Sequence, residues 1–221
     1  MTRPPTRTIA TSRYLKSFLP IVFLAACTAP GSSSYSSGND MSSQQGQIAR
    51  GRELVIEHGC ADCHSMGLPS PVSPGFLAGI STVDQEFQIG PFKTRARNLT
   101  PDNATGLGRF SERQIFNAIR YGLRPGETPD VEITSTIPGQ GNFPQVPKYL
   151  APPMPWIAFR HMRDEQLWAI AAYLKNGLKP VSNRVKDSEG PPDFWASAYT
   201  VEKFGPYPAP AFPAAAEKGG K

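Results

Sequence analysis

Residues 60–64 read Cys60-Ala61-Asp62-Cys63-His64, and the spacing of the two thiols and the imidazole decides how the rest of the chain is understood. Cysteines two residues apart serve three chemistries: a dithiol redox pair, half of a zinc site, or the paired thioethers that hold a c-type haem. Zinc needs two more N or S ligands. With Cys27 set aside, only His58 and His161 lie outside the motif, and His58 is too near in sequence to complete a site easily. A thioredoxin-like pair belongs after a β-branched strand, and no such run precedes Cys60. His64 directly follows the second cysteine, where an imidazole can ligate iron from below a porphyrin, so haem attachment is the favoured reading. The plainer reading of His64 is an incidental surface histidine.

The start of the 221-residue chain reads as an address. Arg3, Arg7, Arg13 and Lys16 give a basic leader without acids, and Phe18 to Ala26 is a short apolar run ending in small residues. That is the plan of a secretory signal over residues 1–26, too short for a spanning helix. Leu24-Ala25-Ala26-Cys27 looks like a bacterial lipobox, which makes Cys27 a lipidated residue; an ordinary signal cut with a free Cys27 is the alternative. Residues 27–44 then form a Ser/Gly-rich tether.

On this reading one cysteine takes lipid and two take haem, leaving no disulfide. Removing the leader takes four of the 23 basic residues and none of the 18 acidic ones, so the formal +5 charge belongs largely to the leader. The remaining 19 against 18 gives no support for a nucleic-acid partner. The rest of the chain is long enough for one domain. Its single C-x-x-C-H implies one haem.

Apolar spacing predicts a helix from Gln45 to His58, interrupted by Gly51, which costs about 1 kcal/mol relative to alanine and suits close helix packing. Prolines and glycines from Ser65 to Pro101 predict irregular loop. Ser111-Glu112-Arg113-Gln114 is a capping box, with Phe110 placed to staple against Ile115, and it opens a helix from Glu112 to Tyr121 that Gly122 stops. Arg124 to Pro155 is a proline-rich excursion in which Pro153 and Pro155 frame Met154, holding a soft thioether in place. Asp164 to Asn176 is a helix with Leu167, Trp168, Ile170, Ala171 and Leu174 as its buried stripe. Residues 179–221 read as a Pro/Ala-rich tail anchored in part by aromatics, with a disordered end.

Together these pieces resemble a class I cytochrome c, an all-α fold of small helices wrapped around one haem, here over residues 45–178. Asn98-Leu99-Thr100-Pro101-Asp102, Thr105-Gly106-Leu107-Gly108, Arg124-Pro125 and Pro153-Met154-Pro155-Trp156 are similar to the haem domains of cytochrome subunits of membrane-bound alcohol and aldehyde dehydrogenases. Those subunits usually carry three haem domains.

The resemblance implies that haem is attached outside the cytoplasm and that the first and last helices cross at Gly51, on the face of Leu167, Ile170 and Leu174. It also implies covalent haem c on Cys60 and Cys63, with His64 below the iron and Met154 above it. Met66, Met162, His58 and His161 are the other candidate ligands. Trp156, Tyr149 and Arg160 are candidates for the haem's surroundings, with packing or solvated charge as their alternative roles.

His/Met ligation saturates iron and raises its potential relative to bis-histidine. The expectation is therefore a monohaem electron-transfer protein, not an enzyme in its own right. It would be held by lipid on the periplasmic side of a bacterial membrane and would work with redox proteins or respiratory-complex subunits. A haem enzyme or gas sensor with a displaceable sixth ligand is the alternative.

Overall fold

The structure is a computed structural model that describes residues 42–80, 85–199 and 203. The expected leader, lipobox and Cys27 lie outside the described residues. Among the described residues no helix is long and apolar enough to cross a membrane.

Helix α1 (Gln44–Glu57) starts where the Ser43 hydroxyl accepts the Gly46 N–H at 3.0 Å. Its inner face meets α5 (Asp164–Ala172) so closely that a Cβ on Gly51 would lie 1.9 Å from the Ala169 carbonyl oxygen and 2.7 Å from the Tyr173 Cβ. The crossing therefore falls on Ala169 and Tyr173, one step around α5 from the expected face. Ile170 and Leu174 are freed to line a cavity instead. The last helix is also shorter than its apolar stripe suggests, because after Ala172 it widens into a π-helical turn, Tyr173–Gly177.

The predicted capping box opens helix α3 (Glu112–Tyr121): Ser111 Oγ accepts the Gln114 N–H at 3.0 Å, and Gln114 Oε1 accepts the Ser111 N–H at 3.1 Å. Phe110 and Ile115 are both buried in the main core with Leu54, Val55, Leu167 and Phe116. Gly122 ends the helix at φ 68°, and a Cβ there would lie 2.2 Å from the Trp156 ring, so this position needs glycine for its conformation and for its contact. In α5, Arg163 occupies the capping position and its N–H is accepted by Gln166 Oε1 at 3.0 Å. Asp164 begins the helix and pairs with the buried Arg120 guanidinium.

The expected all-α fold needs one amendment. The chain is mostly helical, but β1 (Phe87–Ile89) and β2 (Phe92–Thr94) form an antiparallel hairpin in register Phe87↔Thr94. It falls in the stretch expected to be irregular, because two three-residue strands leave too little periodicity to read.

Two long loops are organised by side-chain bonds to backbone. Asn117 Nδ2 donates to Pro129 O and Val131 O, both at 2.9 Å, and the Tyr121 hydroxyl donates to Ile133 O at 2.8 Å. These bonds tie the first half of the 124–155 excursion to α3. Leu123 bridges Tyr149, which returns the excursion to the end of the same helix, and a small second core of Tyr121, Leu123, Ile133 and Phe143 fills the fold-back. Beyond Gly177, residues 181–199 cross back over the hairpin as a strap. Lys93 pairs with Glu189, Phe92 packs on Trp195 at 5.1 Å, and Asn98 Nδ2 donates to Val181 O at 2.8 Å.

Candidate functional site

The short helix α2 (Cys60–His64) follows α1 after Gly59, whose left-handed φ of 62° turns the chain. It opens a cavity of about 340 Å³ walled by α2, the 94–99 segment, α3, the 150–155 turn, Phe159 and α5. Cys60, Cys63, His64 and Met154 all line this cavity. The separate arms of the predicted site thus meet in one place.

His64 is held from behind. Its Nδ1 lies 2.7 Å from the Arg97 carbonyl oxygen, which can only accept, so Nδ1 carries the proton and Nε2 keeps its lone pair. Burial, partly opposed by that bond, holds the imidazole pKa below its ordinary value and so favours the neutral, ligating form. The carbonyl is itself fixed: the Arg97 side chain donates to Lys186 O at 3.1 Å and Ser188 Oγ at 2.9 Å on the strap.

Burial pushes the Cys60 thiol up to about 11. A dithiol redox pair needs a lowered pKa on its attacking sulfur, so Cys60 stands on the wrong side for that chemistry. Among the described residues no group of three His, Cys, Asp or Glu side chains could hold a metal ion, which leaves the zinc reading without further ligands there.

Met154 sits in a tight turn in which its own N–H donates to Ala151 O and its carbonyl accepts from Trp156 N–H, both at 2.9 Å. Trp156 begins the short helix α4 (Trp156–Phe159) and is buried behind the turn, stacked on Tyr149 at 5.8 Å and 6°. The other candidates fall elsewhere. Met162 packs against the main core, His161 and Met66 are exposed, and only His58 joins the cavity wall, at its rim beside Phe159. Trp156, Tyr149 and Arg160 are not among the lining residues; Trp156 and Tyr149 support the Met154 turn from behind.

The sequence reading missed Arg95 and Arg97, the two arginines in the wall. Their signal was the alternation Lys93-Thr94-Arg95-Ala96-Arg97 next to Asn98-Leu99-Thr100, which puts both arginines on one side of an extended segment. Arg95 is buried, with Nη2 bonded to Glu86 and Nη1 without a partner among the described residues.

These features suit the haem that the sequence predicts. The cavity offers a largely apolar wall, a nitrogen with a free lone pair, a thioether and two thiols, and Arg95 in that wall carries a buried guanidinium N–H without a partner among the described residues.

No family model matches the chain. Curated relatives include cytochrome subunits of dehydrogenases. The chain is 27% identical to the gluconate 2-dehydrogenase cytochrome c subunit of Pantoea cypripedii over 80% of its own length and 32% of that protein. It is 26% identical to the fructose dehydrogenase cytochrome subunit of Gluconobacter japonicus over 63% of its length and 23% of the relative. It is 30% identical to the cytochrome c subunit of a quinone alcohol dehydrogenase of Gluconacetobacter polyoxogenes over 42% of its length and 15% of the relative. The chain therefore spans a third or less of each of these proteins.

Proposed function

We propose that the chain is an electron-transfer cytochrome carrying one haem c, bound through thioethers of Cys60 and Cys63 and ligated by His64 Nε2 and Met154 Sδ. The observation that carries this reading is the meeting of all four side chains in one cavity, although Met154 is far from the other three in sequence. Haem with both axial positions filled exchanges single electrons and offers no open coordination site.

The protein's part is to hold that geometry. The Arg97 carbonyl fixes the imidazole tautomer, the turn from Ala151 to Trp156 holds the thioether, and apolar side chains of α3 and α5 exclude water. The similarity to dehydrogenase cytochrome subunits supports work within a membrane-bound dehydrogenase or respiratory complex, receiving electrons from a catalytic partner. Lipid on Cys27 would keep the chain at the periplasmic face of the membrane.

The test is optical. The oxidised holoprotein should show the weak far-red band of sulfur-ligated ferric haem. Met154→Ala should abolish that band and lower the potential, and Met162→Ala should leave both unchanged. A five-coordinate spectrum in the wild type would overturn the reading in favour of a haem enzyme or gas sensor. For the anchor, Cys27→Ser should move the protein from the membrane fraction to the soluble one.

A further inference from the structure

Arg95 stands out among the groups that surround the cavity. Its side chain is only 4% exposed, and a guanidinium so deeply buried needs its charge matched and its N–H groups satisfied. Glu86 Oε2 takes Nη2, but Nη1 has no acceptor among the described residues. Glu86 is also shared, because its other oxygen lies 3.4 Å from Lys93 Nζ. Glu189, which also feels Lys93 and Arg95, is itself paired with Lys186, so three cations and two carboxylates leave this cluster one positive charge in excess. No Asp or Glu lines the cavity, and the charged side chains in its wall besides the histidines are Arg95 and Arg97. Arg97 is already engaged with the strap, which leaves Arg95 as the donor in waiting.

We propose that Arg95 binds a carboxylate of the haem through Nη1, with Glu86 orienting the guanidinium and moderating its charge. This rests on the haem reading above. A planar fork that gives one edge to Glu86 has the other available for a second carboxylate, which is the geometry arginine offers and lysine does not. A bound carboxylate would satisfy Nη1 and balance the surplus charge. Arg95 is thus a binding residue for the cofactor's polar edge, and the Glu86–Arg95 pair is a control on its potential. Ferric haem carries one more positive charge than ferrous, so a nearby cation favours reduction and its removal favours oxidation.

The experiment compares holoprotein of wild type, Arg95→Gln, Arg95→Lys and Glu86→Gln by spectroelectrochemistry and by resonance Raman of the haem carboxylate bending modes. Arg95→Gln should shift a carboxylate mode and lower the potential, by about tenfold in the reduction equilibrium or 59 mV for one electron. Glu86→Gln should raise the potential, since it removes the acid that offsets Arg95. Arg95→Lys should restore the potential in part but not the Raman mode. Opposite signs in the two Gln variants exclude general loosening of the fold, which would move both the same way.

Carboxylate modes that are identical in wild type and Arg95→Gln overturn the proposal; added acetate or chloride moving the wild-type potential would then mark Arg95 as a site for free anions. If Arg95→Gln does not accumulate, Glu86→Gln still decides: an unchanged potential and Raman spectrum overturn it. A wild type without covalent haem on a stained denaturing gel refutes the underlying cytochrome reading instead, so the two failures are distinguishable.

Discussion

Asp102 illustrates how one side chain shapes the wall of the site. Its Oδ1 accepts from the Thr105 N–H and the Thr105 hydroxyl, both at 2.7 Å, and these bonds hold its pKa below the ordinary 3.8. The same turn delivers Leu107 to the cavity and lets Thr105 Oγ1 accept from Asn98 and Asn183. A carboxylate with a lowered folded pKa adds stability that is fully present above its unfolded value and lost as pH falls through the folded one. Asp102→Ala should therefore lower the melting temperature by a constant amount above about pH 4, and the difference from wild type should close at more acid pH. A pH series of thermal melts checks this; a gap that persists at low pH would mean that the turn does not depend on the ionised carboxylate.

Among the elements, the α1–α5 crossing makes the sharpest demand on sequence. Alanine at position 51 would gain about 1 kcal/mol in helix propensity. Its methyl would, however, meet the backbone of Ala169, which cannot rotate away. Overpacking of this kind costs about 1–3 kcal/mol or more, so Gly51→Ala should be net destabilising in urea titration. Gly126, which has nothing within 4 Å of a Cβ position, should tolerate alanine with little change.

The sequence announced α1, α3 and α5 because each carries its own apolar stripe or cap within a dozen residues. It hid the π turn and the exact face of the crossing, since both follow from how Tyr173 and Ala169 fit against a partner helix. Spacing singled out Cys60, Cys63 and His64, and the framing prolines together with the resemblance singled out Met154; that all four line one cavity could not be read from the sequence. Arg95 carried only the weak signal of its alternation with Arg97, because what makes it notable is a missing partner among the described residues, a property of three-dimensional surroundings.

At the scale of the whole molecule, the tail's aromatics signalled an anchor, but no local pattern foretold the course of the strap. Its residues lack periodicity, and their order comes from bonds made far away in sequence, such as Asn183 Nδ2 to Ala78 O at 2.7 Å and Arg124 to Asp193. Trp195 is its apolar anchor, buried between Phe92 and Phe194. Trp195→Ala should cost about 3–5 kcal/mol by the usual scale for a buried aromatic. It should also expose the 181–199 segment to limited proteolysis while α1, α3 and α5 remain protected. Equal protection in variant and wild type would show that the polar bonds alone hold the strap.

The link from the strap through Arg97 to His64 also has a consequence in time. Cys60, Cys63 and His64 share one short helix and are made early in synthesis, whereas the groups that fix the imidazole arrive much later: the Arg97 carbonyl first, then Lys186 and Ser188 that hold Arg97. Contacts of such long range form slowly. The attachment motif is therefore presented as a local, accessible segment well before the cavity around it exists. A chemical modification at its thiols finds both open in the nascent chain, whereas the finished fold leaves Cys63 exposed and half-buries Cys60.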